Sequence, residues 1–73
     1  MADDKRVANQ ELEDLLTAMS WHRRGLAAYR DKGDADSTAR CERLLKLDYR
    51  RIRAHCAEHG LDLPHDVPPE DAA

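Results

Sequence analysis

The chain has 73 residues, of which 37% are charged and only 4% are aromatic, and its formal net charge is −3 at pH 7. This length allows one small domain, and no apolar run approaches the ~18–20 residues of a membrane span. The charged N-terminal residues contain no signal-peptide core, so we expect a soluble cytoplasmic protein. Abundant Ala, Arg and Asp beside few Lys and Ile are typical of a high-GC bacterial or phage genome.

The first predicted helix runs from about residue 9 to residue 32, after a polar lead-in at residues 1–8. Asn9 is its candidate N-cap, and Gly33 is its candidate C-terminal stop. Apolar side chains recur at heptad spacing, which predicts an amphipathic helix. These side chains are Leu12, Leu15, Leu16, Met19, Leu26 and Tyr29. His22 is a polar residue in this seam, and Gly25 would permit the close approach of a neighbouring backbone.

The second predicted helix runs from about residue 36 to residue 59 and follows a turn rich in Asp and Gly. Asp36 or Ser37 is its candidate cap, and Gly60 ends it. Its core face consists of Cys41, Leu44, Leu45, Tyr49, Ile52 and Cys56. A short turn between two helices of similar length favours an all-α, antiparallel two-helix hairpin over residues 9–63. Residues 64–73 are acidic and Pro-rich, and we expect them to be disordered.

A core of this size rarely contributes more than ~3–5 kcal/mol, so a disulfide, a metal or a second subunit usually supports such a chain. Cys41 and Cys56 lie about 22 Å apart on one predicted helix, which is too far for an intrachain disulfide. With Leu45 and Ile52 they form a row whose spacings of four, seven and four read the same in both directions. An isologous two-fold interface requires such symmetry, and we therefore expect a homodimeric four-helix bundle.

The predicted oligomer interface combines the apolar stripes of the two helices. It consists of Leu12, Leu15, Leu16, Met19, Leu26, Tyr29, Cys41, Leu45, Tyr49, Ile52 and Cys56.

The charged residues are unevenly distributed along the chain. Residues 22–53 contain ten basic and five acidic residues, whereas the remainder contains two basic and ten acidic residues. Arg43, Lys46, Arg50 and Arg53 form a basic stripe opposite the core of the second helix. This stripe could contact nucleic-acid phosphate, dock an acidic protein, or be a solvated helix face whose Arg stems cover apolar surface.

Trp21 lies on the side of the first helix opposite Met19. Tryptophan is over-represented at binding hot spots, so Trp21 is a candidate partner contact. Together with the basic stripe it favours a small protein–protein interaction module, a regulator or adaptor that acts as a helical dimer. A nucleic-acid-binding protein that uses the basic face of the second helix is the alternative.

His55 and His59 are spaced i, i+4, which supplies half of a metal site. The sequence contains no paired-Cys spacing and no Glu-x-x-His motif to complete it, and two His residues near a helix C-terminus also suit the helix dipole. A metal-binding helical bundle is therefore a weak third alternative. No motif for nucleophilic or acid–base catalysis is present, so we expect neither enzyme activity nor a cofactor.

Overall fold

The computed structural model describes residues 2–69 of the chain, and side chains over residues 4–69. Helix α1 spans Ala2–Lys32 and helix α2 spans Ala35–His59. The described residues contain no strand, so the all-helical prediction is confirmed for them. Neither α1 nor α2 is both long and apolar enough to cross a membrane.

The two helices pack as an antiparallel hairpin. Near the turn, Gly25 faces Cys41. Further from the turn, by three residues on α1 and seven on α2, His22 Nδ1 pairs with Asp48 Oδ2. At the far end, His55 Nε2 donates to the Ala8 carbonyl oxygen at 2.7 Å. A Cβ at Gly25 would lie 3.4 Å from Cys41 Sγ, so the helices approach closely there.

Helix α1 begins seven residues before the predicted start, which corrects both the polar lead-in and the placement of the N-cap. Residues 2–8 are helical, and Asn9 lies inside the helix. Ala8 is 2% exposed and precedes Leu12 by four residues, so it adds one turn to the core stripe. The small side chain of alanine gives no strong periodic signal, which is why the sequence places the helix start too late. Met1 lies outside the described residues.

The turn between the helices consists of Gly33 and Asp34. Gly33 has φ +73°, a conformation that glycine adopts at little cost. Its N–H donates to the Arg30 carbonyl at 3.1 Å, and the Asp34 N–H donates to the Tyr29 carbonyl at 3.0 Å; these two bonds form a Schellman motif. Asp34, rather than the predicted Asp36 or Ser37, then caps α2 by accepting from the Ser37 N–H at 3.1 Å.

Gly60 ends α2 as predicted, with φ +64°, and residues 61–69 fold back over the hairpin as a C-terminal strap. The Val67 N–H donates to the Pro64 carbonyl at 3.0 Å, and this turn buries the Val67 side chain to 2% exposure. Residues 64–69 therefore pack as part of the domain, which corrects the predicted disorder for them. Residues 70–73 of that predicted tail lie outside the described residues.

The core lies between the helices and beneath the strap. Its buried cluster is Met19, Leu45, Ile52, Cys56 and Val67, and the side chains packed against it are Leu12, Leu15, Leu16, Leu26, Tyr49, Leu61 and Leu63. Nearly all the residues of the predicted oligomer interface are thus used inside one chain.

The hairpin is a single layer, with extents of 48 × 24 × 16 Å, and its two faces differ. The strap bonds to one face through Arg23 and Arg53. At 100° per residue, Ala18, His22 and Leu44 turn toward the other side of the helix seam. These three half-buried residues define what we call the open face.

Candidate functional site

The symmetric row on the second helix does not form an exposed seam. Cys41, Leu45, Ile52 and Cys56 are 7%, 6%, 0% and 3% exposed in the single chain. Their packing against α1 and the strap leaves no surface for the same residues of a second copy. The predicted two-fold pairing through this row is therefore incompatible with the hairpin, and any interface between copies must lie on another face.

The two cysteines are buried and free. Cys56 Sγ lies 3.8 Å from the Asp62 carbonyl oxygen, to which its thiol donates. Burial, with a smaller contribution from the Asp62 carboxylate, raises the pKa of the Cys56 thiol. A thiol held in its protonated form is a poor nucleophile, so Cys56 packs as a small apolar residue.

One carboxylate is buried near the middle of the hairpin. Asp48 is 4% exposed and is the only charged residue classed as buried among residues 4–69. It pairs with His22 of α1, whose side chain is 30% exposed. The sequence places His22 in the apolar seam of the first helix, but helix periodicity alone does not establish that it meets Asp48, because that depends on the register between the helices.

Most of the basic stripe of α2 lies on the exposed surface. Arg43, Lys46 and Arg50 are exposed, whereas Arg53 is half-buried and its Nη1 donates to the Pro68 carbonyl at 3.1 Å. Leu47 was not among the predicted contact residues; it is 40% exposed and lies four residues after Arg43 and three before Arg50. Its outward position follows from the same helical wheel of α2 that places the residues of the basic stripe opposite the core.

Trp21 lies on the outer surface of α1, as the sequence predicts. Its side chain is 66% exposed, and the Arg24 guanidinium carbon lies 5.5 Å from the centroid of its ring. A cation over an exposed ring contributes about 0.5–1 kcal/mol, which orients the indole without covering it. Trp21 is therefore available to a partner.

His55 and His59 meet a residue that the sequence does not associate with them. Glu11 of α1 places its Oε2 3.7 Å from His55 Nδ1, and the two imidazole rings lie 4.5 Å apart between centroids. One ligand atom from each of Glu11, His55 and His59 lies within 4.8 Å of the others. The antiparallel packing of the helix ends brings these three side chains together.

Arg23 fastens the strap to both helices. Its Nη2 donates to the Asp66 carbonyl at 2.6 Å and to the Tyr49 hydroxyl at 3.2 Å, while Nη1 donates to the Asp66 carboxylate at 3.2 Å. The hydrogen bond to Tyr49, and then the interactions with Asp66, raise the pKa of Arg23. This role of Arg23 was not predicted, because residues 64–69 were expected to be disordered.

No family model, curated protein or solved structure matches the chain. The described residues therefore offer four features on which a function can be argued: the open face, the basic stripe with Leu47, the exposed Trp21, and the cluster of Glu11 with two histidines.

Proposed function

We propose that the chain is a small non-enzymatic interaction module that pairs with a second copy through its open face and binds an acidic protein through the outer face of α2. The observation that carries the binding role is Leu47, which is 40% exposed at the centre of the basic stripe. Protein interfaces combine an apolar centre with a polar rim, and this face has both.

The composition of the open face suits helix packing. Ala18 is small, Leu44 adds an apolar side chain, and both are half-buried in the single chain. Small residues let two helices approach closely, and the neighbouring His22–Asp48 pair satisfies the polar groups that a second copy would cover. Four helices in two such layers would form a homodimeric four-helix bundle.

Light scattering over a range of concentrations tests the pairing. The wild-type chain is expected to have the mass of a dimer, and Ala18→Glu, which places a charge on the open face, is expected to reduce it to a monomer with unchanged helical circular dichroism. Ala28→Glu is the matched control, because Ala28 is an exposed alanine on the outer side of α1. A wild-type monomer at every concentration would contradict the pairing.

The charge of the outer face favours an acidic partner. Arg43, Lys46 and Arg50 surround Leu47 within one turn on either side, and basic residues outnumber acidic ones two to one over residues 22–53. Such a face attracts a negatively charged surface and accelerates encounter with it. Contact with phosphates alone would need no apolar centre, which is why we favour a protein over a nucleic acid.

Affinity capture with the immobilised chain tests the binding role. An acidic protein retained by the wild type should be lost with Leu47→Glu and with the double variant Arg43→Glu and Lys46→Glu. Val7→Glu should retain it, since Val7 is 56% exposed but lies on α1. Salt-sensitive binding of duplex DNA or RNA that Leu47→Ala leaves intact would instead favour the nucleic-acid alternative.

A further inference from the structure

We infer that Glu11, His55 and His59 form a binding site for a divalent transition-metal ion, which joins α1 to the C-terminal end of α2. This site does not use the outer face of α2, where we propose that the acidic partner binds. Glu11 lies two turns before Ala18 on the same side of α1, so the site lies beside the open face, toward the helix ends.

The distances between the donor atoms are close to those of a metal site. Tetrahedral zinc with bonds of about 2.0–2.1 Å holds its ligand atoms about 3.4 Å apart. Glu11 Oε2 and His55 Nδ1 already lie 3.7 Å apart, and the whole set lies within 4.8 Å. Small rotations of Glu11 and His59, both of which are exposed, would bring the three atoms onto one ion.

The hydrogen bonding of His55 prepares it as a ligand. Its Nε2 lies 2.7 Å from the Ala8 carbonyl oxygen, and since a carbonyl only accepts, Nε2 carries the proton. In the neutral ring, Nδ1 then has a free lone pair, directed toward Glu11. A metal-ligating histidine usually donates its other ring N–H to a carbonyl or carboxylate in this way.

The juxtaposition of Nδ1 with the Glu11 carboxylate also points to a cation. Nδ1 of His55 and Oε2 of Glu11 face each other across 3.7 Å, and the adjacent His59 ring provides a third donor to an ion held between them.

The donor set selects the class of metal. Two imidazole nitrogens and one carboxylate oxygen suit Zn²⁺ and its neighbours in the transition series, whereas Mg²⁺ and Ca²⁺ prefer oxygen ligands throughout. The side chain of Glu11 is 56% exposed, so water has access to a fourth coordination position. The site is thus a three-ligand site that remains open to solvent.

A metal at this position would compensate for the small core. Chains of this size usually need a disulfide, a metal or a second subunit, and the cysteines here are free. The ion would connect residue 11 to residues 55 and 59, and it would hold the first turns of α1 against α2. We expect binding to the folded chain to raise its thermal midpoint.

Isothermal titration with Zn²⁺, with Co²⁺ absorption as a second probe, tests the site in the full-length chain. One equivalent should bind, and the intensity of the cobalt bands should report a nitrogen-containing site of low coordination number. Glu11→Gln and His59→Gln should each weaken binding at least tenfold and abolish the zinc-induced rise in thermal midpoint. Circular dichroism should show that both exposed-residue variants remain helical.

Two matched variants and one ion serve as controls. Glu13→Gln removes a neighbouring exposed carboxylate, and His65→Gln removes an exposed histidine of the strap; neither should change zinc affinity. Mg²⁺ should neither bind nor stabilise the chain. Unsaturable zinc binding, or an equal loss of affinity in His65→Gln and His59→Gln, would show that Glu11 and His55 form only an ion pair and would overturn the proposal.

Discussion

At the scale of single residues, the paired Asp48 carboxylate determines how the helices can pack. A carboxylate that is 4% exposed needs a hydrogen-bonding partner, because an unpaired buried charge is costly. His22 of α1 meets that need. A shift of one helix by a turn would separate the pair, so this contact selects one register from the several that regular apolar stripes would tolerate.

Removing one member of this pair should therefore destabilise the chain. We expect His22→Leu to lower the free energy of unfolding by about 1–3 kcal/mol, since Asp48 is left without its partner. The double variant His22→Leu with Asp48→Leu should lose less free energy of unfolding, because it also removes the buried carboxylate that would otherwise be unpaired. Urea unfolding measures both values, and a double variant less stable than His22→Leu would contradict this account.

The cap at Asp34 makes the stability of the turn dependent on pH. The hydrogen bonds from Ser37 lower the pKa of Asp34 below its ordinary value of 3.8. A group whose pKa is lowered by folding stabilises the fold above its unfolded pKa, and this stabilisation is lost as the pH falls through the folded value.

Asp34→Asn should therefore weaken the dependence of stability on pH below about pH 4 while it preserves the cap, because Asn also accepts from the Ser37 N–H. Asp34→Ala should lower the thermal midpoint at pH 7 as well. Thermal melts of the wild type, Asp34→Asn and Asp34→Ala between pH 7 and pH 3 measure how the thermal midpoint of each depends on pH. If the thermal midpoints of the wild type and Asp34→Asn fell in parallel with pH, the Asp34 carboxylate would not be the cause of the loss of stability at low pH.

At the scale of elements, the C-terminal strap completes the core that two helices leave open on one side. Val67 lies in the same cluster as Ile52 and Cys56, and Arg23 binds the backbone next to it. Acidic and Pro-rich composition usually indicates disorder, but one apolar side chain and one arginine suffice to hold this short segment.

Shortening Val67 should reveal the contribution of the strap. We expect Val67→Ala to lower the free energy of unfolding by about 1.5 kcal/mol, because two buried methyl groups are lost at ~0.8 kcal/mol each. Val7→Ala, at a side chain that is 56% exposed, should change it by less than about 0.5 kcal/mol. Equal effects in denaturant melts would show that the strap does not support the core.

At the scale of the whole molecule, the hairpin uses its apolar stripes internally, and over residues 4–69 the strap packs on one face of the single layer and the open face lies on the other. This arrangement moves the proposed dimer contact from the row containing Cys41 and Cys56 to the face containing Ala18 and Leu44. The outer surfaces, with Trp21 on α1 and Leu47 on α2, would remain accessible in the proposed dimer.

If the fold is completed by a second copy, its stability should depend on protein concentration. We expect the thermal midpoint to rise with total chain concentration for the wild type, because association favours the folded state by mass action. Ala18→Glu should show a lower midpoint that is independent of concentration. Calorimetry across a hundredfold range of concentration measures both, and a constant wild-type midpoint would argue against coupled folding and association.

Much of the architecture could be predicted, but little of the candidate metal cluster could. Heptad spacing and the glycines at 33 and 60 predicted both helices and where each ends. The pairing of Glu11 with His55 and His59 could not be predicted, because those residues are more than forty positions apart and only the register between the helices brings them together. The outward position of Leu47 was predictable from the helical wheel, but Leu47 was not singled out because its neighbours on that face are charged.

The sequence by itself determined the local structure of this protein: two amphipathic helices, the glycine that reverses the chain and the basic stripe, since each depends on residues within a few turns of one another. Only the tertiary structure decided the early start of α1, the burial of Val67, the His22–Asp48 pair and the open face. These features depend on contacts between segments distant in sequence, where burial of a single alanine or valine can outweigh the polar character of its neighbours.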